Sequence, residues 1–303
     1  MAISRAQMMK ELLPGLNELF GLEYGSYENE HEDVYEMESS DRAFEEEVQL
    51  SGFGAAPVKA EGSAIAYDTA QEVFTARYNH ETVALGFSIT EEAIEDNLYD
   101  SLSARYTKAL ARGAANTKQV KAAFPLNNGF TTFNSGDGVP LFSNSHPLVS
   151  GGFNRNQPQI PSDLNETSLE QAVIDIAAFT DQRGLKIAAR ARRLIVPPEL
   201  MFVATRILDT ELRVGTADND INALRTNGVI PEGYRVNHYL ADQQGDAWFV
   251  ITDVPNGMKG FTRSPMSTSM DGDFDTGNVR YKCRERYSFG VSDPLGIYGS
   301  SGA

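Results

Sequence analysis

The chain has 303 residues, 41% of them hydrophobic, enough for a sizeable core and about two sub-domains. Its formal net charge of −16 excludes a surface that grips nucleic acid through counterion release, and suits one that lies beside DNA without sticking to it. No apolar run approaches the ~18 residues a membrane span needs, the start MAISRAQMMKELLPGL lacks a signal peptide's order, and a lone Cys283 with four histidines argues against a disulfide framework or a zinc site.

Residues 1–43 open with an amphipathic segment. Met8, Met9, Leu12, Leu16, Leu19 and Phe20 share a helix face, interrupted by Pro14 and Gly15. The stretch that follows, 21–47, is acidic and dotted with aromatics. Its low apolar content reads as an extended arm that is ordered only against something else. From residue 44 the pattern turns to β. Val48 and Leu50, then Ile65 and Tyr67, alternate with polar or small neighbours around the turn-rich GFGAAPVKAEG (52–62). Two strands around such a tip make a long hairpin without an apolar face of its own, so it should project. Val83, Leu85, Phe87 and Ile89 then alternate strictly.

The segment from Thr90 to Phe124 is expected to be one long helix of roughly 35 residues, about 50 Å. Its stripe is Ile94, Leu98, Leu102, Ala109, Leu110, Gly113, Thr117, Val120 and Phe124. Thr90 can cap it, Glu91, Glu92 and Glu95 suit its first turns, Lys118 and Lys121 suit its end, and Pro125 should stop it. Residues 126–165 carry no periodicity and read as a long interfacial loop. Beyond them, 168–182 fits a helix on Leu169, Ala172, Val173, Ile176 and Phe179, and RLIV (193–196) a buried strand. Pro197 and Pro198 start another helix, and 234–239 and 247–251 look like strands. From 258 the chain is mostly β, with Val279, Tyr281 and Cys283 alternating against Arg280, Lys282 and Arg284.

Three clusters invite a chemical reading. Ser143, Ser145 and His146 place hydroxyls beside an imidazole, but a catalytic triad needs partners brought together by the fold, and there is no nucleophile elbow. Asp271, Asp273 and Asp275 alternate as in a calcium loop, yet Thr276 and Lys282 stand where that loop wants Gly and Glu, so a solvated acidic turn is the better reading. Arg190, Arg192 and Arg193 form a basic cluster that should meet carboxylates of a neighbour rather than phosphates. No catalytic, cofactor-binding or metal-binding residue is assigned.

Taken in order, these parts resemble a tailed-bacteriophage major capsid protein of the HK97-like fold, and more narrowly the Mu-like major head subunit group. The likeness is carried by GFGAAPVKAEGSAIAYD (52–68), LGFSITEEAIEDNLYDS (85–101), GDGVPLFSNSHP with the following glycine pair (136–152), and RRLIVPPEL (192–200). The resemblance implies an α+β fold: an N-terminal arm (1–43), an E-loop hairpin (44–82), a peripheral domain with spine helix and long loop (83–165), an axial domain (166–262), and a peripheral return with the C-terminus (263–303). It implies a structural protein, not an enzyme, without cofactors. Copies would assemble into pentamers and hexamers of an icosahedral shell around double-stranded DNA, in the virion capsid, assembled in the host cytoplasm and away from membranes. The implied partners are a separate scaffolding protein, since the chain starts almost directly with its arm, a portal, and a decoration protein. Some relatives crosslink through an E-loop lysine; Lys59 lies near this tip, but no crosslink is expected. The alternatives are the shell protein of an encapsulin-type enzyme compartment and a soluble hydrolase using His146.

Overall fold

The computed structural model describes residues 5–90, 92, 99–212, 220–240, 246–273 and 277–303, with side chains left out for 5–12 and 99–102. Strands β1 (Glu36–Ser39), β2 (Phe44–Leu50), β3 (Glu72–Asn79) and β4 (Glu81–Ile89) precede helix α2 (Tyr99–Asn127), and helix α1 (Arg5–Gly25) precedes them all. A first sheet has the order β1-β10-β11-β4, built on the long antiparallel pair β10 (Met258–Gly272) and β11 (Val279–Val291). The alternation in β11 sorts its side chains as the pleat requires: Val279, Tyr281, Cys283 and Tyr287 are buried, while Arg280, Lys282 and Arg284 are exposed. β4 lies antiparallel to β11 with Leu85 opposite Cys283, and β1 runs parallel to β10 with Glu36 opposite Lys259.

Helices α1 and α2 cover the buried face of this sheet. Leu16 and Phe20 of α1 meet Leu110, Ala111 and Ala114 of α2 above Tyr281 and Cys283. The face of α2 that is buried is not the expected stripe. Ser103, Thr107, Leu110, Ala111, Ala114, Ala115, Gln119, Ala122, Ala123 and Leu126 are buried, whereas Val120 and Phe124 are half exposed. A helix squeezed between another helix and a sheet needs small side chains for close approach, so its buried face reads as Ala, Ser and Thr rather than as large apolar groups. The start expected at Thr90, with Ile94 and Leu98, and the Leu102 side chain lie outside the described residues. At the other end α2 runs two residues past Pro125, although proline has no N–H to donate to the carbonyl four residues back. Lys118 does more than sit near that end. It donates to the buried Glu285 of β11 at 2.7 Å, and Glu285 also accepts from Tyr24 at 3.1 Å.

The N-terminal segment differs from the extended arm expected of it. α1 passes through Pro14 and Gly15 without interruption, with the Met8, Met9 and Leu12 side chains outside the described residues. After α1 the acidic stretch is held to its own chain. It has few apolar groups, but Val34 and Tyr35 are buried against Ala122, Leu126 and Met258, and the Tyr35 hydroxyl donates to the Ala122 carbonyl at 2.7 Å.

His31 fastens this segment to α2. Its backbone N–H donates to Gln119 Oε1 at 3.0 Å, which commits Gln119 Nε2 to donate to His31 Nδ1 at 2.9 Å. The ring is therefore a neutral acceptor. Burial, and next the Lys118 charge, lower its pKa to about 4, against a partial opposing effect of Gln119. A histidine whose folded pKa lies below its unfolded value contributes its stability in full above about pH 6.5 and loses it as pH falls toward the folded value. The loss should reach about 3 kcal/mol by pH 4. Melting curves of the wild type and His31→Gln should therefore converge between pH 7 and pH 4.5. A gap that stays constant over that range would show that His31 does not titrate as described.

The second sheet has the order β12-β9-β7-β8. It comprises β7 (Ala191–Val196), β8 (Tyr234–Val236), β9 (Trp248–Thr252) and β12 (Ile297–Ser300). Its buried strands are near-continuous apolar runs, as a sheet covered by helices should be. Helices α3 (Glu166–Ala177) and α4 (Met201–Leu208) pack Leu169, Ile176, Ala204 and Ile207 onto Leu194, Trp248 and Val250. α3 begins at a capping box in which Asn165 accepts from Ser168 N and Ser168 accepts from Asn165 N, and it ends sooner than the periodicity indicates, with Phe179 buried just beyond it. A short helix, α5 (Ala223–Thr226), precedes β8. The C-terminal segment is divided between the sheets: β10 and β11 belong to the first, and β12 returns to the second beside β9.

Candidate assembly surfaces

β2 and β3 form a two-stranded antiparallel hairpin, from Phe44 opposite Asn79 to Leu50 opposite Glu72. The second strand is 72–79, not the Ile65–Tyr67 stretch expected from alternation. Those two residues belong to an irregular tip, 51–71, because the longer run EVFTARYN, which buries Ala76 and Tyr78, takes the ladder instead.

The root of the hairpin is fixed to the body. Tyr78 and Ala76 pack with Phe261 of β10, the two rings 4.9 Å apart and edge to face. Gly290 is required beneath them, since a Cβ there would lie 2.7 Å from the Tyr78 ring. Lys259 is buried between Glu38 (3.1 Å) and Glu47 (2.5 Å). Burial alone would lower its ammonium, but hydrogen bonds to the two carboxylates outweigh that and hold it above its ordinary value. Glu47 also accepts from Ser292, which in turn meets the Tyr78 hydroxyl at 2.5 Å. A cleft of about 660 Å³ runs between β2 and the 180–189 segment, lined by Val48, Leu50, Asp181, Gln182 and Ile187.

The tip is the opposite case. Val58 is 100% exposed and Tyr67 89%, and Phe53 and Ile65 are also largely in solvent. Large side chains so exposed, on a segment with no core of its own, mark a surface that another molecule covers. Lys59 stands exposed among them. Further exposed apolar groups lie on the body at Phe153, Ile160, Ile174, Phe202 and Ile221.

The chemical clusters resolve as structural ties. His146 is buried, with Nδ1 2.6 Å from Asp137 Oδ2 and Nε2 3.1 Å from Asn156 Oδ1. Asn156 fixes its own orientation, because its Nδ2 donates to the carbonyls of Leu141, Pro294 and Ile297 and its Oδ1 accepts from Ser143 N. The two imidazole nitrogens thus face Asp137 and Asn156, and neither is directed at Ser143 or Ser145. Burial would raise the Asp137 carboxyl, but hydrogen bonds from His146 and Ser135 hold it below its ordinary value. Asp273 pairs with Arg280 at 2.5 Å and Asp271 caps its own turn, while Asp275 lies outside the described residues. Among the described residues no three His, Cys, Asp or Glu side chains converge as metal ligands.

The arginine cluster finds its carboxylates within the chain rather than on a neighbour. Arg193 reaches Asp33 at 2.9 Å and Glu232 at 2.6 Å, and Arg192 bonds the same Glu232. Burial pushes Glu232 up, but Arg192 and Arg193 prevail and hold it low. Arg190 is tied to Asp253 through its backbone, its N–H donating to Oδ1 at 2.7 Å and its carbonyl accepting from Asp253 N at 3.1 Å. The sequence could not show that the N-terminal segment folds back across β7 and brings Asp33 to these guanidiniums.

A long helix laid on a sheet, a second helix-covered domain, and a rooted hairpin with an uncovered tip define a shell-forming subunit with the HK97-like capsid fold. The chain belongs to the phage capsid protein family, whose model matches residues 72–300. It is a major capsid protein, and so a structural protein of the virion capsid. Similar solved structures include the capsid of Myoviridae phage XM1, at 12% identity and a TM-score of 0.53, covering 89% of each chain. A virus-like particle from Pyrococcus furiosus aligns at 10% identity with a TM-score of 0.54, covering 95% of this chain and 98% of that one. The capsid of an empty GTA particle gives 15% identity and a TM-score of 0.51, over 88% and 87%. A comparison with curated proteins finds no relative by sequence. The encapsulin-type alternative is not favoured, because the matching family model is that of phage capsids. Among the described residues no helix is long and apolar enough to cross a membrane.

Proposed function

We propose that copies of this chain close into pentamers and hexamers and that these build an icosahedral shell around double-stranded DNA. The observation that carries the proposal is the hairpin, whose root is locked to the body by Lys259, Tyr78 and Glu47 while its tip leaves Phe53, Val58, Ile65 and Tyr67 uncovered. In this reading the hairpin is an E-loop laid on a neighbouring copy, and α2 is the spine of a peripheral domain formed with the first sheet. The second sheet with α3 and α4 is the axial domain facing the symmetry centres. Heterologous contacts of this kind close into rings. The four stretches at 52–68, 85–101, 136–152 and 192–200 support placement in the Mu-like major head group. Assembly takes place in the host cytoplasm with a separate scaffolding protein, a portal and a decoration protein, and the subunit performs no catalysis. Sedimentation and negative-stain microscopy of the purified chain test the proposal. Rings or closed shells are expected, and a stable monomer at high concentration would overturn it.

A further inference from the structure

The first sheet has one face under α1 and α2 and one face away from them. On the second face β11 presents Arg280, Lys282 and Arg284, all exposed, at every other position. Alternate residues of a strand stand about 7 Å apart, so these cations form a straight row. The register places Gly86 of β4 and Ser269 of β10 on either side of Lys282, and Ala84 and Ser267 on either side of Arg284. All four flanking residues are small, uncharged and exposed, which leaves the face flat around the two cations.

Three other cations of this strand pair are met by carboxylates of the same chain, while Arg286, next in the row and partly buried, makes no ion pair among the described residues. Lys259 lies between Glu38 and Glu47, Arg263 lies 4.0 Å from Asp41, and Arg280 lies 2.5 Å from Asp273. Lys282 and Arg284 make no ion pair among the described residues. In a chain with 42 acidic and 26 basic residues, two adjacent exposed cations stand here without a partner. What fits them is a carboxylate-rich surface, and the net charge of −16 makes any other copy of this chain such a surface.

We propose that the Lys282–Arg284 face docks a carboxylate-bearing surface of a second copy of this chain. The proposal rests on the shell-forming reading for the kind of partner and adds the place and the chemistry of one contact. A duplex fits less well. Phosphate binding draws its affinity from several exposed cations spread along the backbone, whereas here two unpaired exposed cations stand among uncharged small residues, with Asp271 at one end of the row and the partly buried Arg286 at the other.

The test uses shells assembled from equal amounts of light- and heavy-nitrogen subunits, treated with a carbodiimide that joins amines to carboxylates without a spacer. Mass spectrometry should find a Lys282 isopeptide linking a light peptide to a heavy one. Lys282→Glu with Arg284→Glu changes only exposed side chains, so the melting temperature should stay within a degree or two of wild type, while the protein concentration needed for assembly rises at least tenfold. Assembly of the wild type should weaken with added salt, and Lys282→Gln with Arg284→Gln should flatten that dependence. Lys282 links confined to one chain, or wild-type assembly by the double glutamate variant, would overturn the docking proposal while wild-type shells keep the shell-forming reading in place. Normal shells that retain less DNA would assign the face to nucleic acid and overturn it equally. If the wild type itself stays monomeric, both readings fall together.

Discussion

Excising Gly52–Ala70 and joining Ser51 to Gln71 through Asn-Gly should leave a folded subunit that no longer forms shells. The ladder is already closed at the point of excision, since Ser51 N donates to the Gln71 carbonyl at 2.9 Å and Gln71 N donates to Ser51 Oγ at 3.0 Å. A two-residue turn of the Asn-Gly type matches the twist of the strands it joins. Little inside the subunit is lost. Gly54 and Asp68 bond each other within the tip, and the contacts of Arg183 with Thr69 and Asp68 are surface interactions of little weight. Assembly loses far more. Burying Phe53, Val58, Ile65 and Tyr67 against other copies is worth about 1.5–3 kcal/mol for each side chain fully covered. Circular dichroism and melting should match the wild type within a few degrees, and microscopy should show no closed particles. Normal shells from this variant would remove the hairpin from the assembly mechanism.

The parts that were legible in the sequence are those where burial leaves a period. β11 is the clearest, because Val279, Tyr281 and Cys283 face two helices while Arg280, Lys282 and Arg284 face away. The buried strand around Leu194–Val196 and the helix of Leu169 and Ile176 are legible for the same reason. Where packing selects for small side chains the period becomes weak. The buried face of α2 is carried by Ala111, Ala114, Ala115, Ala122 and Ala123, which a search for large apolar residues passes over in favour of the exposed Val120 and Phe124. The acidic stretch after α1 was opaque for a different reason. It is held by single long-range contacts, His31 to Gln119, Asp33 to Arg193 and Tyr35 to Ala122, and none of these has a local signature. The same holds for the assembly surface, where the tip was recognisable by its inability to bury itself, while the polar lock at Lys259 and Tyr78 joins residues some two hundred positions apart.

The aperiodic stretch 126–165 shows how a segment without hydrophobic patterning becomes ordered, and it carries the largest stability effect expected of a single side chain. Strands β5 (His146–Pro147) and β6 (Phe153–Asn154) pair over only two residues, far too few to hold a loop of this length. Asn156 holds it instead. Its side chain is fully buried and has five hydrogen-bond partners, its two amide hydrogens being shared among three carbonyls. It donates to the carbonyls of Leu141 (2.7 Å), Pro294 (2.9 Å) and Ile297 (3.2 Å), and it accepts from Ser143 N (2.9 Å) and His146 Nε2 (3.1 Å). One amide thereby ties the loop after α2 to the turn that leads into β12. Asn156→Ala removes these partners at once in a site that water does not reach, and a buried polar group left unmatched costs about 1–3 kcal/mol. The variant should lose about 3–5 kcal/mol of stability, a large part of the ~5–15 kcal/mol typical of a domain. Asn156→Asp should fare no better although it keeps the shape, because a carboxylate cannot donate to three carbonyls. Asn165→Ala, which removes only the cap of α3, should cost about 1 kcal/mol under the same conditions. Denaturant melts of the three variants order them. If Asn156→Ala were no worse than Asn165→Ala, the loop would have to be held by its apolar contacts at Leu141 and Phe142 and not by the amide.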